Sequence, residues 1–271
     1  MPTTSGDRRR ILALGGGGFT AAEPSAALDA LVLRLTGKRV PRICFLPTAS
    51  GDQREQVIRF QERFAAWPCE RSVLSLFHLA GTQIDPRAHL LSQDAIYVGG
   101  GSMRSLLAIW REYGIAETMR EAWEAGIVLA GVSAGAMCWF EAGVSRSAGR
   151  PEPVLGLGLL PGSLSVHCDS DPERLRAYLR ALAEHALPSG YAADDSAALM
   201  FAGTELLTCV ASRNGAGIRR ITIGRPEPIQ TPMPIRRLEE TAPGAVARRG
   251  IGYEDRLALA EFRALRSGRY S

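Results

Sequence analysis

Ser133 stands in the frame Gly131-Val132-Ser133-Ala134-Gly135, a G-x-S-x-G pattern. On a strand-to-helix turn, such a serine presents its hydroxyl as the nucleophile of an acyl transfer. The preceding run Gly126-Ile127-Val128-Leu129-Ala130 reads as a short buried strand. Gly131, Ala134, Gly135 and Ala136 are small, as a tight turn demands. The Ala134 N–H, at the start of the following helix, is available to a developing oxyanion. Gly-rich strand–helix turns also serve packing alone, so Ser133 needs partners before it is a nucleophile.

The partner of first need is a base, and there are four histidines. His78 falls in an apolar run, His89 in a helical stretch, and His185 at a helix end where the dipole favours a cation. His167 alone follows a strand and precedes a helix cap, so it belongs to the rim where active sites of open α/β sheets collect. A third group must orient the imidazole. Asp169 and Asp171 lie close in sequence, and Asp171 doubles as the cap of the next helix. Asp194 and Asp195 adjoin a later strand, whose alternation lets only one face the site. Asp194 is the expected acid; Asp195 and Asp169 stay open as alternatives. Gly99-Gly100-Gly101-Ser102 ends a strand and opens a helix, so Gly100 or Gly101 can supply the second oxyanion donor.

Positioning these groups takes strands that alternate with helices. Arg10–Leu14, Arg42–Pro47, Val73–Leu79 and Ala95–Val98 read as strands. Apolar residues Val57, Phe60, Phe64 and Trp67 recur at helical spacing, and helices are expected at 103–113 and 116–125. A further helix starts at Asp171-Pro172, with Leu175, Tyr178, Leu179 and Leu182 as its buried stripe. Arg150-Pro151-Glu152-Pro153 reads as a loop, Ser163–His167 as a strand, and Tyr191 to about Gly224 as three short strands. The fold class is α/β: a three-layer sandwich with a mostly parallel central sheet. One domain over 1–224 is expected, without a second core. An extended stretch (225–252) and a terminal helix at about 253–265 would form a C-terminal extension.

The chain has 271 residues, 46% of them hydrophobic, and a net charge of +4, the profile of a globular protein. Lys38 is the one lysine; the arginines are scattered rather than massed, so no nucleic-acid partner is expected. The polar start of the chain is unlike a signal peptide, and no apolar run has the length of a membrane span, so a cytoplasmic location without a membrane partner is expected. Five cysteines form no C-x-x-C pair, and there is no H-E-x-x-H or Cys/His cluster, so no metal is expected. Gly15–Thr20 lacks the third small residue of a dinucleotide loop, and Thr36–Arg39 lacks the features of a P-loop.

Over about residues 11–211 the chain resembles the peptidase E group, the family S51 serine peptidases related in fold to class I glutamine amidotransferases (flavodoxin-like). The marks are Tyr97-Val98-Gly99-Gly100-Gly101, the elbow at 131–136, Gly158-Leu159-Leu160-Pro161-Gly162 with His167 following, and Ala193-Asp194-Asp195. The resemblance implies Ser133 as nucleophile, His167 as base and Asp194 as acid, in an enzyme that hydrolyses small peptides without metal or organic cofactor. Ser102 stands where many members carry asparagine, and the neighbourhood after the elbow offers only Glu141 where some dipeptidases place their acid. Preference for an N-terminal Asp would need a cation, for which Arg174, Arg176 and Arg104 are candidates. Two rival readings remain: an amidotransferase-like hydrolase of another amide or ester, against which Cys138 lies one helical turn past the elbow instead of at it, and a non-catalytic binding module. A homodimer is one expected assembly.

Overall fold

The computed structural model describes residues 7–21 and 25–239. In chain order the elements are β1 (Arg10–Leu14), α1 (Ala26–Leu35), β2 (Arg42–Leu46), α2 (Arg54–Phe64), β3 (Glu70–Val73), α3 (Pro86–Leu91), β4 (Ala95–Val98), α4 (Met103–Glu112), α5 (Ile115–Glu124) and β5 (Val128–Val132). There follow α6 (Ala134–Met137), β6 (Phe140–Ala148), β7 (Arg150–Leu155), β8 (Leu160–Ser165), α7 (Pro172–Ala183), β9 (Gly190–Ala193), β10 (Ala197–Ala202), β11 (Glu205–Ala211), β12 (Ile218–Thr222), β13 (Ile229–Pro232) and β14 (Ile235–Arg237).

Eight strands form the main sheet in the order β14-β11-β10-β1-β5-β4-β2-β3. From β1 through β5, β4 and β2 to β3 every pairing is parallel, and β10 runs antiparallel to β1. Parallel strands are covered on both faces, which explains why they read as unbroken apolar runs. Along β1 the faces alternate: Ile11 and Ala13 enter one core, Leu12 and Leu14 the other. The second of these cores holds α1 and α2 through Leu28, Val32, Phe60 and Phe64; the first holds α4 and α5 through Leu106, Trp110, Met119 and Trp123. The expected mixed α/β architecture with helices on both faces of a mostly parallel sheet is present.

A second sheet lies on the α4/α5 side, in the order β13-β12-β9-β8-β6-β7. Its β6 and β8 side chains Phe140, Leu160 and Leu164 share one core with Ile11 and Leu129 of the main sheet. On its other face α7 packs Tyr178 and Leu182 against Ala142, Val144, Ala192 and Ile221, a separate small core. Several local expectations change with this sheet. Arg150–Pro153 is the start of a strand, not a loop: among the described residues β7 pairs only with β6, and its prolines need no second partner. Strand β3 stops at Val73, short of the expected Leu79. Four strands, not three, fill 190–222. Strands β13 and β14, past residue 224, pair with β12 and β11. The expected helix at 253–265 lies outside the described residues.

Caps fix the helix that follows the site loop. The Asp171 carboxylate accepts the Arg174 N–H at 3.1 Å, and Pro172 opens α7 where a missing N–H costs nothing.

Candidate active site

Ser133 sits between β5 and α6 with φ 56° and ψ −113°, a backbone conformation that side-chain-bearing residues rarely adopt. The surroundings enforce it. A Cβ on Gly131 would come within 2.0 Å of the Gly135 carbonyl oxygen, so the elbow closes only around glycine. The Ser133 N–H donates to Leu14 O at 3.0 Å, tying the turn to the end of β1.

His167, in the loop between β8 and α7, also has a positive φ of 56°. Its Nε2 lies 2.9 Å from Ser133 Oγ and its Nδ1 lies 2.5 Å from Asp195 Oδ1. A carboxylate only accepts, so Nδ1 carries the proton and donates to Asp195, leaving Nε2 to accept from the Ser133 hydroxyl. Ser170 Oγ donates to the other carboxylate oxygen at 2.5 Å. Burial pushes the Asp195 carboxyl up, but the hydrogen bonds from His167 and Ser170 outweigh it, and the net shift is downward. His167 and Asp195 are about 30% exposed, so substrate can reach them (side-chain values 29% and 30%).

The residue beside the imidazole is therefore Asp195, and the expected contact of Asp194 with His167 is not made. Asp194 Oδ2 instead accepts the Gly217 N–H at 3.0 Å, and Arg219 lies 3.5 Å from Oδ1. Burial raises the Asp194 carboxyl, a further contrast with its neighbour. The remaining candidates are also engaged elsewhere. Glu141 accepts the Gly162 N–H at 2.7 Å, and Asp169 accepts the Asp195 N–H at 2.8 Å.

Gly100 packs against the elbow: a Cβ built there would lie 3.3 Å from Ser133 Cβ and 3.9 Å from Oγ. The flanking N–H groups are tied down, Gly99 to Leu46 O at 3.0 Å and Ser102 to Ala49 O at 2.7 Å. Among the described residues, the Gly100 and Gly101 N–H groups have no acceptor. The Ala134 N–H opens α6 and likewise has none within its helix. The arrangement leaves backbone donors free in two segments near the serine, at 100–101 and at 134.

The end of β1 also builds the site, without a catalytic sequence motif that points to it. Three successive carbonyls there each hold one segment of the site: Leu14 O takes Ser133 N–H, Gly15 O takes His167 N–H at 3.2 Å, and Gly16 O takes Ser196 N–H at 3.1 Å. A Cβ on Gly16 would fall 1.8 Å from Asp195 Oδ1 and 2.8 Å from His167 Nδ1. The four-glycine run after β1 is its mark in the sequence, and Gly16 allows close approach to the imidazole.

The three arginines differ. Arg104 is held by Glu152 at 2.8 and 3.1 Å, and Arg176 is exposed on α7. Arg174 is buried at 9% exposure, with Nε 3.3 Å from Asp171. Among the described residues its Nε and Nη1 find no hydrogen-bond acceptor. Cys138 is fully buried, donates its S–H to Gly135 O at 3.2 Å, and has its thiol pushed far up by burial, so it is no thiolate nucleophile. The other histidines are remote in role: His78 Nδ1 lies 2.8 Å from Ser75 Oγ, and His89 Nε2 lies 3.1 Å from Ser72 Oγ.

The model of peptidase family S51 matches residues 11–209, spanning β1, the elbow, His167 and Asp195. The chain belongs to peptidase family S51. An uncharacterized peptidase, YgaJ, of Bacillus subtilis (strain 168) is 43% identical over 230 residues, covering 85% of this chain and 99% of that one. A crystal structure of a peptidase from an acI-B1 Actinobacterium superposes with a TM-score of 0.61 at 20% identity, covering 82% of this chain and 94% of its own. A putative peptidase E protein from Listeria monocytogenes EGD-e gives 0.54 at 17% identity, covering 73% and 96%. These two share the fold. This S51 chain is a serine-type peptidase, and no helix among its described residues is long and apolar enough to cross a membrane.

Proposed function

We propose that the chain hydrolyses small peptides through Ser133, His167 and Asp195, with preference for an N-terminal Asp. The observation that carries this is the unbroken hydrogen-bond chain from Ser133 Oγ through both imidazole nitrogens to Asp195. His167 Nε2 takes the hydroxyl proton as Oγ attacks the scissile carbonyl. The Ala134 N–H, with that of Gly100 or Gly101, receives the oxyanion. His167 then returns the proton to the departing amine, and water activated by the same nitrogen releases the acyl group from Ser133. Asp195 stabilises the imidazolium at each stage.

Arg174 supports the acidic preference, being a buried cation in the first turn of α7 that is ion-paired to Asp171 yet keeps two nitrogens without a hydrogen bond. A substrate carboxylate would supply the missing acceptors. An amidotransferase-like cysteine mechanism has no support, because Cys138 is sealed in the core. A homodimer and a cytoplasmic location belong to this proposal as expectations.

The test is hydrolysis of X-Leu dipeptides, with Asp, Glu, Asn, Arg and Ala at X, by wild type, Ser133→Ala and Arg174→Met. Asp-Leu should be cleaved selectively, activity should vanish in Ser133→Ala, and Arg174→Met should bring Asp-Leu down to the Ala-Leu rate. Cleavage that persists in Ser133→Ala would overturn the nucleophile. Undiminished Asp selectivity in Arg174→Met would overturn the role of that arginine.

A further inference from the structure

The turn that carries Asp195 is held by more than its own strands. Every backbone polar group from Asp194 to Ser196 has a partner. Asp194 N–H donates to Gly217 O and Asp194 O accepts Ala197 N–H; Ser196 N–H donates to Gly16 O and Ser196 O accepts Ser212 N–H. At Asp195 itself the partners are side chains. Asp169 Oδ1 accepts its N–H at 2.8 Å, and Arg213 Nη2 donates to its carbonyl at 3.2 Å. Arg213 also pairs with the second Asp169 oxygen, so one guanidinium bridges both ends. Ser170, the next residue after Asp169, donates to Asp195 Oδ2.

These contacts do two different things. The Asp169–Arg213 pair grips the backbone of residue 195 from the His167 loop on one side and the loop after β11 on the other. Ser170 grips the carboxylate. With Oδ1 on the imidazole and Oδ2 on Ser170, both oxygens are engaged and the plane of the carboxylate is fixed. A carboxylate with one free oxygen would rotate about its terminal torsion, which is broad for aspartate. A second consequence is electrostatic. Asp169 brings a negative charge to the N–H of another acid, and Arg213 offsets it, so the two carboxylates coexist in one turn.

We infer that Asp169, Ser170 and Arg213 form a clamp that positions Asp195 toward His167, with Ser170 setting the orientation of the carboxylate. This rests on the proposed roles of Ser133, His167 and Asp195. Ser170 and Asp169 bond to Asp195 and not to the Ser133 hydroxyl, so they act through Asp195 and are positioning residues. Their place directly after His167 in sequence means that one loop delivers the base and also orients its acid.

The test uses Ser170→Ala, Ser170→Thr and Asp169→Ala in the full chain, with hydrolysis of the best peptide and the proton NMR signal of His167 Nδ1–H as readouts. Losing one hydrogen bond to a charged group predicts a fall in kcat of about tenfold in Ser170→Ala, with KM within about twofold. Ser170→Thr, which keeps the hydroxyl, should restore it. Asp169→Ala should lower kcat further, since it removes the acceptor of the Asp195 N–H and leaves Arg213 without its carboxylate. The Nδ1–H signal should broaden or be lost in Ser170→Ala and return in Ser170→Thr. That signal needs no substrate, so it separates the two ideas: a wild type inactive on every peptide would remove the proposed reaction while leaving the clamp readable. An unchanged signal and unchanged kcat in Ser170→Ala would overturn the clamp, as would a Thr variant no better than Ala.

Discussion

Asp194 and Asp195 are chemically identical neighbours, and which one serves His167 is decided by a turn of three residues. Strand alternation allows only one of two adjacent residues to face a site, but β9 ends at Ala193, so both acids lie past the strand where alternation no longer applies. Ser196, at φ 66°, bends the chain so that Asp195 meets the imidazole while Asp194 turns to Gly217 and Arg219. Asp195→Asn should therefore lower kcat by about four orders of magnitude, the loss expected when the imidazole is held in the wrong tautomer. Asp194→Asn should stay within a few-fold of wild type. Steady-state rates of the two variants check this, and the reverse order would move the acid back to Asp194. Ser133 and His167 were legible in the sequence because each has a local signature, an elbow frame and a strand end before a helix cap. The acid has none. Its assignment needs the carbonyls at the end of β1, which come from more than a hundred residues away.

At the scale of elements, legibility follows burial. The parallel strands β1, β2, β4 and β5 are covered on both faces and read as plain apolar runs. Strand β7 hides behind Pro151 and Pro153, tolerable because among the described residues it pairs on one side only. Helix α1 contains a different exception. Asp29 is completely buried in it, with Tyr97 Oη and Arg63 Nε each 3.5 Å from its carboxyl, beneath the Gly18–Thr20 turn that continues the glycine run. Burial pushes its pKa up to about 7, against the pull of Arg63 and the Phe19 N–H. A raised acid binds a proton in the folded state that the unfolded chain gives up near pH 4. Its contribution therefore makes the protein less stable as pH climbs from about 4 to about 7, with the full deficit above that. Asp29→Asn removes this dependence. The variant should match wild type in urea unfolding near pH 4.5 and exceed it at pH 8 by on the order of a few kcal/mol. Lower stability of the variant at pH 8 would mean that pairing with Arg63 outweighs burial.

For the whole molecule, the site is a seam between two sheets. Ser133 ends a strand of the main sheet, His167 follows a strand of the second, and Asp195 sits in the turn that passes from the second sheet (β9) back to the first (β10). This arrangement of Ser133, His167 and Asp195 survives only while the sheets stay in register. Their contact is apolar and aromatic: Phe201 of β10 meets Phe140 of β6 edge-on at 5.7 Å and Tyr191 of β9 at 6.3 Å. Phe201 is 2% exposed, within a single core that runs from Ile11 and Leu129 to Leu160 and Ile218. Chains longer than about 150 residues often unfold through intermediates. A shared core works against that here, because separating the sheets would expose apolar surface on both. Urea should therefore abolish activity and far-UV circular dichroism in one coincident transition. Phe201→Ala, which leaves a cavity at the seam, should move both curves together to lower urea, by roughly 3–5 kcal/mol. If activity in that variant disappeared well before the circular dichroism, the two sheets would be separate cooperative units. The seam would then hold Ser133, His167 and Asp195 in line without contributing to the global stability of the fold.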